Sequence, residues 1–198
     1  TIYNLISGEI PVIISVPHCG KIHLNEIYKR TNQNIVTVTD TNTSNIAIDI
    51  YKLMEKKPYL LINNISRKYV DMNRSEIKGA ENILSRVLWR SYHRALSKQI
   101  KECKKKYGTC LLLDLHGNAK TKFLVQLGYG ITIDKISNKD LEECSLPYLN
   151  RKYHSESLII GKRSLGHFIE HVDATPSPHI QTGDEIKSIA KDKYYFNG

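Results

Sequence analysis

Apolar residues recur along this chain with two different periods, which together predict alternating strands and helices. Short runs rich in β-branched residues are typical of strands, and apolar residues three or four positions apart are typical of helices. The predicted strands are residues 10–16, 34–38, 58–63, 109–115, 123–127 and 157–160. The predicted helices are residues 44–56, 81–106 and 138–150.

The two clearest helical patterns also predict which faces are apolar. In the first, the apolar positions are Ile46, Ile50, Leu53 and Met54. In the longest, between Gly79 and Gly108, the predicted inner face is Leu84, Leu88, Tyr92, Ala95, Gln99 and Cys103.

Strands that alternate with helices predict an α/β fold with a mixed, largely parallel central sheet. No internal repeat, low-complexity tract or linker divides the 198 residues, so we expect a single domain over residues 1–198. In such sheets, ligands bind outside the carboxyl ends of the strands. We therefore look for chemistry where strands end.

Composition narrows the class of protein. Apolar residues make up 40% and charged residues 25% of the chain, which is a globular composition. No apolar run approaches the roughly 20 residues that cross a bilayer, and the N-terminus lacks the basic start of a secretory signal. We expect a cytoplasmic protein without a membrane partner. The four cysteines form no CxxC pair and are expected to be free thiols.

The net charge of +9 raises the question of a nucleic-acid partner. Along the sequence the lysines are scattered, and no basic run is interleaved with aromatic residues that could stack on bases. The run KECKKK at residues 101–106 ends a helical pattern, where cations suit the helix dipole. We therefore expect a solvated basic surface or an anionic substrate, and a nucleic-acid partner is the less favoured reading.

Two predicted strands end at a histidine. The strand 10–16 leads into His18, and the strand 109–115 leads into His116. Imidazole is a common zinc ligand, and Asp114, two residues before His116, is placed to orient its ring. A histidine that merely ends a strand is the alternative for each one alone.

A third ligand should be an acid. Asp40 follows the predicted strand 34–38, although as an isolated residue it also fits a helix N-cap. The rival is Glu26, in the short pattern His23–Glu26, which has no strand before it. Asp40 ranks first and Glu26 second.

Two arginines and an asparagine follow the predicted strand 58–63, in the segment SRKYVDMNR at residues 66–74. They fit no helical or alternating pattern. Guanidinium groups bind carboxylates and can polarise a carbonyl, so the segment predicts a substrate-binding loop. A salt-bridged surface loop is the alternative.

Taken together, these segments resemble the N-formylglutamate amidohydrolase family, which is similar in fold and metal site to the zinc carboxypeptidases. The resemblance runs in order through PHCG, DTNTSNIAIDIY, SRKYVDMNR, WRSYH and LLLDLHGN, over about residues 10–118. Later, ATPSP and YYFNG look like family segments. SRKYVDMNR and DLHGN are the most specific of these.

The resemblance implies a zinc carboxypeptidase-like fold with helices on both faces of the sheet, and a Zn²⁺ cofactor. It implies His18, Asp40 and His116 as metal ligands, Arg67 as the residue that polarises the scissile carbonyl, and Asn73 with Arg74 as the grip on a substrate carboxylate. Asp71 is expected to brace the loop, and Tyr92 and His93 to pack beside the site.

Two departures from the family pattern stand out. Cys19 occupies a position where the family usually has Ser, which places a sulfur near the expected metal. The family's catalytic Glu, in a QxE pattern on a late strand, has no counterpart here. Six acids between residues 150 and 198, Glu156, Glu170, Asp173, Asp184, Glu185 and Asp192, follow no strand end. We therefore expect a chain that lacks its C-terminal strand and general base, and that binds zinc but hydrolyses slowly.

The function predicted from these observations is zinc-dependent hydrolysis of an amide in an N-acyl or N-formyl amino acid with a free carboxylate. One alternative is a carboxypeptidase-like peptidase. The other is a basic nucleic-acid-binding protein with an idle metal site.

Overall fold

The computed structural model describes residues 1–32, 35–117, 125–130, 135, 138, 146, 155–170 and 176–177. The chain forms two compact units, Thr1–Gly117 and Asn118–Gly198, which are described separately. The expectation of a single domain over residues 1–198 stays a prediction.

The first unit is built on a four-stranded sheet in the order β1-β3-β2-β4. Its strands are β1 (Tyr3–Ile6), β2 (Val12–Val16), β3 (Tyr59–Asn63) and β4 (Leu111–Asp114). β2 is parallel to both β3 and β4, and β1 is antiparallel to β3. The α/β class is therefore confirmed at the coarse level, with a sheet of mixed orientation.

Helices cover both faces of this sheet. Helix α1 (Thr43–Leu53) contributes Ala47, which is buried with Ile14 and Leu60. The neighbouring strand residue Ile13 points to the opposite face, where it is buried with Cys103 of α3 (Ile83–Tyr107). A short helix, α2 (Glu76–Gly79), precedes α3.

Local signals explain the limits of α3. Asn82 and Ser85 form a capping box at its start, where the Asn82 side chain accepts from the Ser85 backbone N–H. Gly108 ends the helix in the left-handed conformation at φ 76°. Tyr92, Ala95, Gln99 and Cys103 are buried as predicted, whereas Leu84 is exposed.

The face predicted for α1 is wrong. Thr43 and Ala47 are its buried residues, while Ile46, Ile50 and Leu53 are exposed. The helix packs instead through Ala47, Ile48 and Tyr51, which lie on a different face from the predicted apolar positions.

Three element predictions also need correction. The predicted strand 34–38 does not form over its described residues 35–38, where Val36 and Val38 are exposed and the backbone has no strand partner. The predicted strand 157–160 is replaced by a helix, α4 (Ser155–Ile159), since short apolar runs suit either structure. β1 was not predicted, because its short sequence YNLI has no alternating pattern.

In the second unit, β5 (Val125–Gln126) pairs in parallel with β6 (Pro176–Ser177), and α5 (Leu165–Glu170) follows α4. β5 confirms the centre of the predicted strand 123–127. The predicted helix 138–150 lies outside the described residues, apart from 138 and 146. No helix in the described ranges is long and apolar enough to cross a membrane.

Candidate metal centre

Two strands and one loop bring three side chains that could bind a metal ion to the same end of the sheet. β2 and β4 run parallel with Ser15 opposite Asp114, so the residues that follow both strands leave the sheet side by side. His18 and His116 are those residues. The backbone N–H of Asp40 donates to the carbonyl oxygen of His18 at 3.0 Å, which brings the third side chain to them.

The three ligand atoms form a nearly equilateral triangle. Nδ1 of His116 lies 3.1 Å from Nδ1 of His18 and 3.2 Å from Oδ2 of Asp40. Nδ1 of His18 lies 3.4 Å from the same oxygen. In tetrahedral coordination, metal–ligand bonds of about 2.0–2.1 Å place neighbouring ligand atoms about 3.3 Å apart. His18, Asp40 and His116 can therefore hold a metal ion as one face of a tetrahedron.

A buried carboxylate fixes the ring of His18. Its Nε2 donates to Oδ1 of Asp71 at 2.7 Å, and each of these side chains is only 1% exposed. Nδ1 is thereby left as the acceptor atom that faces the metal position. Such an outer carboxylate orients a ligating histidine and raises its basicity.

A second carboxylate fixes His116. Its Nε2 lies 3.0 Å from Oδ2 of Asp114 and 3.2 Å from the side-chain amide of Asn73. If Nε2 carries the proton and donates to Asp114, Nδ1 becomes the acceptor. The orienting role predicted for Asp114 matches this geometry.

The electrostatics of the cluster favour a cation among the three ligand atoms. Burial alone would lower the pKa of His116, but hydrogen bonds to Asp114 and Asp40 raise it to about 9. Burial alone would raise the pKa of Asp40, but hydrogen bonds with His116 and His18 hold it well below its usual range. Three acceptor atoms this close repel one another unless a proton or a metal ion lies between them.

Gly117 lets the loop after β4 pass close to Asp40. A Cβ at this position would lie 3.1 Å from Cβ of Asp40, and the Gly117 N–H donates to Oδ2 of Asp40 at 3.0 Å. The glycine after His116 thus helps to position the third ligand.

Neither alternative for the acidic ligand matches the structure. The N-cap of α1 is Asn42, so Asp40 does not cap the helix and its carboxylate faces the two histidines instead. His23, in the rival pattern with Glu26, lies against Tyr69. Among the described residues, the metal-binding group contains neither His23 nor Glu26.

The loop at residues 66–74 is folded around Asp71. Oδ2 of Asp71 accepts from Nε of Arg67 at 2.9 Å, and Oδ1 accepts from the Asn73 backbone N–H at 3.0 Å. Arg30, which sequence reasoning missed, lies 3.6 Å from Asp71 and also donates to the carbonyl of Arg67. Asp71 thus joins the loop directly to His18.

The structure places the three predicted substrate residues differently. Asn73 touches His116 and lies at the metal group. Arg67 is buried and is held through its Nε by Asp71. Arg74 is exposed, and its Nη1 donates to the carbonyl of Asn73 at 3.1 Å. Of the two residues expected to bind the substrate carboxylate, Asn73 therefore lies at the cluster, and Arg74 is exposed to solvent.

The sulfur of Cys19 does not join the metal group. Its Sγ donates to the carbonyl oxygen of Asn63 at 3.1 Å. Burial raises the pKa of this thiol to about 11. Cys19, Cys103 and Cys110 are free thiols, as predicted, and Cys144 lies outside the described residues.

A cavity of about 200 Å³ adjoins the cluster. Asn73 and Asp114, which both contact His116, line it together with Tyr92 and His93. Tyr92 is buried with its hydroxyl 2.8 Å from that of Ser15, and His93 lies with its Nε2 3.0 Å from the carbonyl of Met72. A small substrate group can occupy this space.

The predicted lack of a general base concerns residues that are mostly outside the described ranges. Of the six late acids, only Glu170 has a described side chain, and it ends α5. The side chains of Glu156, Asp173, Asp184, Glu185 and Asp192 lie outside the described residues.

Comparisons of the chain with protein-family models, with curated proteins and with solved structures found no significant match. The resemblance to the N-formylglutamate amidohydrolases stays a prediction that rests on the sequence segments alone.

Proposed function

We propose that the protein is a zinc-dependent amidohydrolase that cleaves the amide of an N-acyl amino acid with a free carboxylate, such as an N-formyl amino acid. The observation that carries the proposal is the triangle of His18 Nδ1, Asp40 Oδ2 and His116 Nδ1, with sides of 3.1–3.4 Å. Two nitrogens and one oxygen are a donor set that suits zinc, and three protein ligands leave a position for substrate or water.

A zinc ion at this position supplies a Lewis acid that polarises a carbonyl and activates water at neutral pH. The protein supplies the positions of the other groups. Asp71 holds Nε of Arg67, and the terminal nitrogens of this guanidinium would stabilise the developing charge on a substrate oxygen. Asn73 and Arg74 would hold the substrate carboxylate, which orients the amide toward the metal.

Metal content tests the first half of the proposal. Wild-type protein reconstituted with zinc should hold one equivalent, and His18→Ala and His116→Ala should each lose most of it. His23→Ala is the matched control, because His23 lies outside the metal group. Less than stoichiometric zinc in the wild type would refute a built metal site.

Turnover tests the second half. The zinc-loaded protein should release formate or another acid from N-acyl amino acids, and blocking the carboxylate as a methyl ester should suppress the reaction. Parallel assays on short unblocked peptides separate this activity from that of a carboxypeptidase-like peptidase. Faster release of C-terminal amino acids from peptides would assign the protein to the carboxypeptidase-like peptidases.

A further inference from the structure

Almost all of the net positive charge of the chain belongs to one helix. Between Ile83 and Tyr107, α3 contains eight Lys and Arg residues and a single acid, Glu102. This is a surplus of seven positive charges, and the whole chain has a net charge of +9. These eight residues lie within 25 consecutive positions, and the helix brings five of them to one face.

Five of these cations form a line, here called the basic stripe: Arg90, Arg94, Lys98, Lys101 and Lys105. All five are exposed. With 3.6 residues per turn and a rise of 1.5 Å, they lie within a sector of about 80° and over a length of about 22 Å. The buried residues Tyr92, Ala95, Gln99 and Cys103 lie on the other side of the helix, so the stripe faces away from the core.

Most of the stripe has no neutralising partner. Arg90 pairs with Glu76 at 2.7 Å, and Lys98 is 3.9 Å from Glu102. Arg94, Lys101 and Lys105 have no carboxylate within ion-pair distance in the part of the chain that the structure describes. Cations this close together repel one another, and a polyanion would relieve that repulsion.

A groove of about 450 Å³ follows the stripe. Its N-terminal end is a fixed aromatic wall, where the rings of Trp89 and His93 lie 3.8 Å apart. Trp89 Nε1 donates to the carbonyl of Arg74 at 2.9 Å, which ties this wall to the loop at residues 66–74. Beside an aromatic surface, a row of cations resembles the grooves that bind nucleic acids.

We propose that the basic stripe binds the phosphate backbone of a nucleic acid without sequence specificity, a role independent of the proposed hydrolase activity. Charge complementarity favours this occupant over an acidic protein. Protein interfaces centre on apolar side chains, whereas the part of α3 that carries the stripe, residues 90–105, all of them described, exposes no large apolar side chain; the exposed Ile83 and Val87 lie beyond its N-terminal end. Phosphate contacts need only cations, and an α-helix about 10–12 Å in diameter fits a major groove about 12 Å wide.

The test is fluorescence anisotropy of the full chain with labelled oligonucleotides of about 20 nucleotides, as single-stranded DNA, single-stranded RNA and duplex DNA. Five phosphate contacts predict a slope of log affinity against log salt of about −4.5 for a duplex and about −3.5 for a single strand. Trp89 is the sole tryptophan of the chain, so its fluorescence should change on binding. No binding at about 50 mM salt would overturn the proposal.

Matched charge reversals distinguish an effect of the basic stripe on binding from an effect of the net charge of the protein. Arg94→Glu combined with Lys101→Glu should weaken binding about tenfold or more and reduce the slope by about two units. Lys29→Glu combined with Lys56→Glu gives the same change in net charge at exposed positions outside α3, and should have a much smaller effect. Both variants should keep the circular-dichroism spectrum and the urea midpoint of the wild type, which report an intact fold.

Two results would refute the assignment. Equal losses in both double variants would show that only the net charge matters. Polyglutamate that binds as tightly as the oligonucleotides at the same charge concentration would reassign the stripe to acidic proteins.

Discussion

Replacing Asp71 by Asn should destabilise the protein and weaken its metal site together, because one buried carboxylate supports both. The Asp71 side chain is 1% exposed. It accepts hydrogen bonds from His18, Arg67 and the Asn73 backbone, and Arg30 lies 3.6 Å away. Asparagine keeps the size of the side chain, but it removes the charge and replaces one acceptor oxygen with a donor.

The magnitude follows from what the substitution leaves behind. Two buried guanidinium groups, Arg30 and Arg67, lose their common counter-charge. One of the two donors, His18 Nε2–H or Arg67 Nε–H, would also face the new amide N–H₂. Removing one partner of a buried ion pair costs about 3–5 kcal/mol of unfolding free energy. Loss of the carboxylate behind a ligating histidine lowers metal affinity by about 10–100-fold.

Urea unfolding in the presence of a chelator measures the first effect without metal linkage, and competitive zinc titration measures the second. The control is Glu76→Gln, which breaks the solvent-screened ion pair with Arg90 and should change the stability very little. If the unfolding free energy of Asp71→Asn lies within about 1 kcal/mol of the wild-type value and the zinc affinity is unchanged, Asp71 supports neither the fold nor the metal site.

The role of Asp71 also predicts how the stability of the protein depends on pH. Burial alone would raise the pKa of Asp71, but its contacts with His18 and Arg67 hold it well below its usual range. A folded-state pKa below the unfolded value of about 3.9 stabilises the protein above that pH, and this contribution is lost as the pH falls. The stability gap between wild type and Asp71→Asn should therefore be largest near neutral pH and narrow below about pH 4.

Three further predictions concern single positions. Gly20→Ala should destabilise the protein by about 1–3 kcal/mol in urea, because its Cβ would lie 2.2 Å from a backbone oxygen. The control is Gly128→Ala, whose Cβ would meet no atom of the described residues, and equal stabilities of the two variants would contradict this prediction. Alkylation at pH 8, mapped by mass spectrometry, should modify Cys110 before Cys19, because Cys19 is buried and burial raises its pKa to about 11. Modification of Cys19 first would contradict this prediction. Arg74→Lys should raise KM for a carboxylate substrate about tenfold or more and lower kcat less, because the ammonium of lysine is a point charge that cannot bind a carboxylate bidentately. An unchanged KM would show that Arg74 does not bind the substrate.

Sequence reasoning succeeded where the signal was local. A short apolar run that ends at a histidine identifies both the strand and the candidate ligand, as at His18 and His116. The anchoring of His18 by Asp71 could not be predicted, because the two residues are 53 positions apart and their contact depends on how the loop at 66–74 folds back. The α1 face was mispredicted for a related reason. The tertiary position of the helix turns Ala47, Ile48 and Tyr51 toward the sheet, and the spacing of apolar residues within the helix does not determine that position.

The parallel pairing of β2 with β4 has a consequence for when the protein can acquire its metal. His18 and His116 are 98 positions apart and meet only after these two strands are in register. A nascent chain that has reached Asn82 already contains His18, Asp40 and Asp71 but lacks the second histidine. Long-range parallel pairing is among the slower events of folding, since its loop must close before the contact contributes. A metal ion bound by these residues would therefore join a sheet that has already formed, and it would stabilise the finished fold rather than direct its formation.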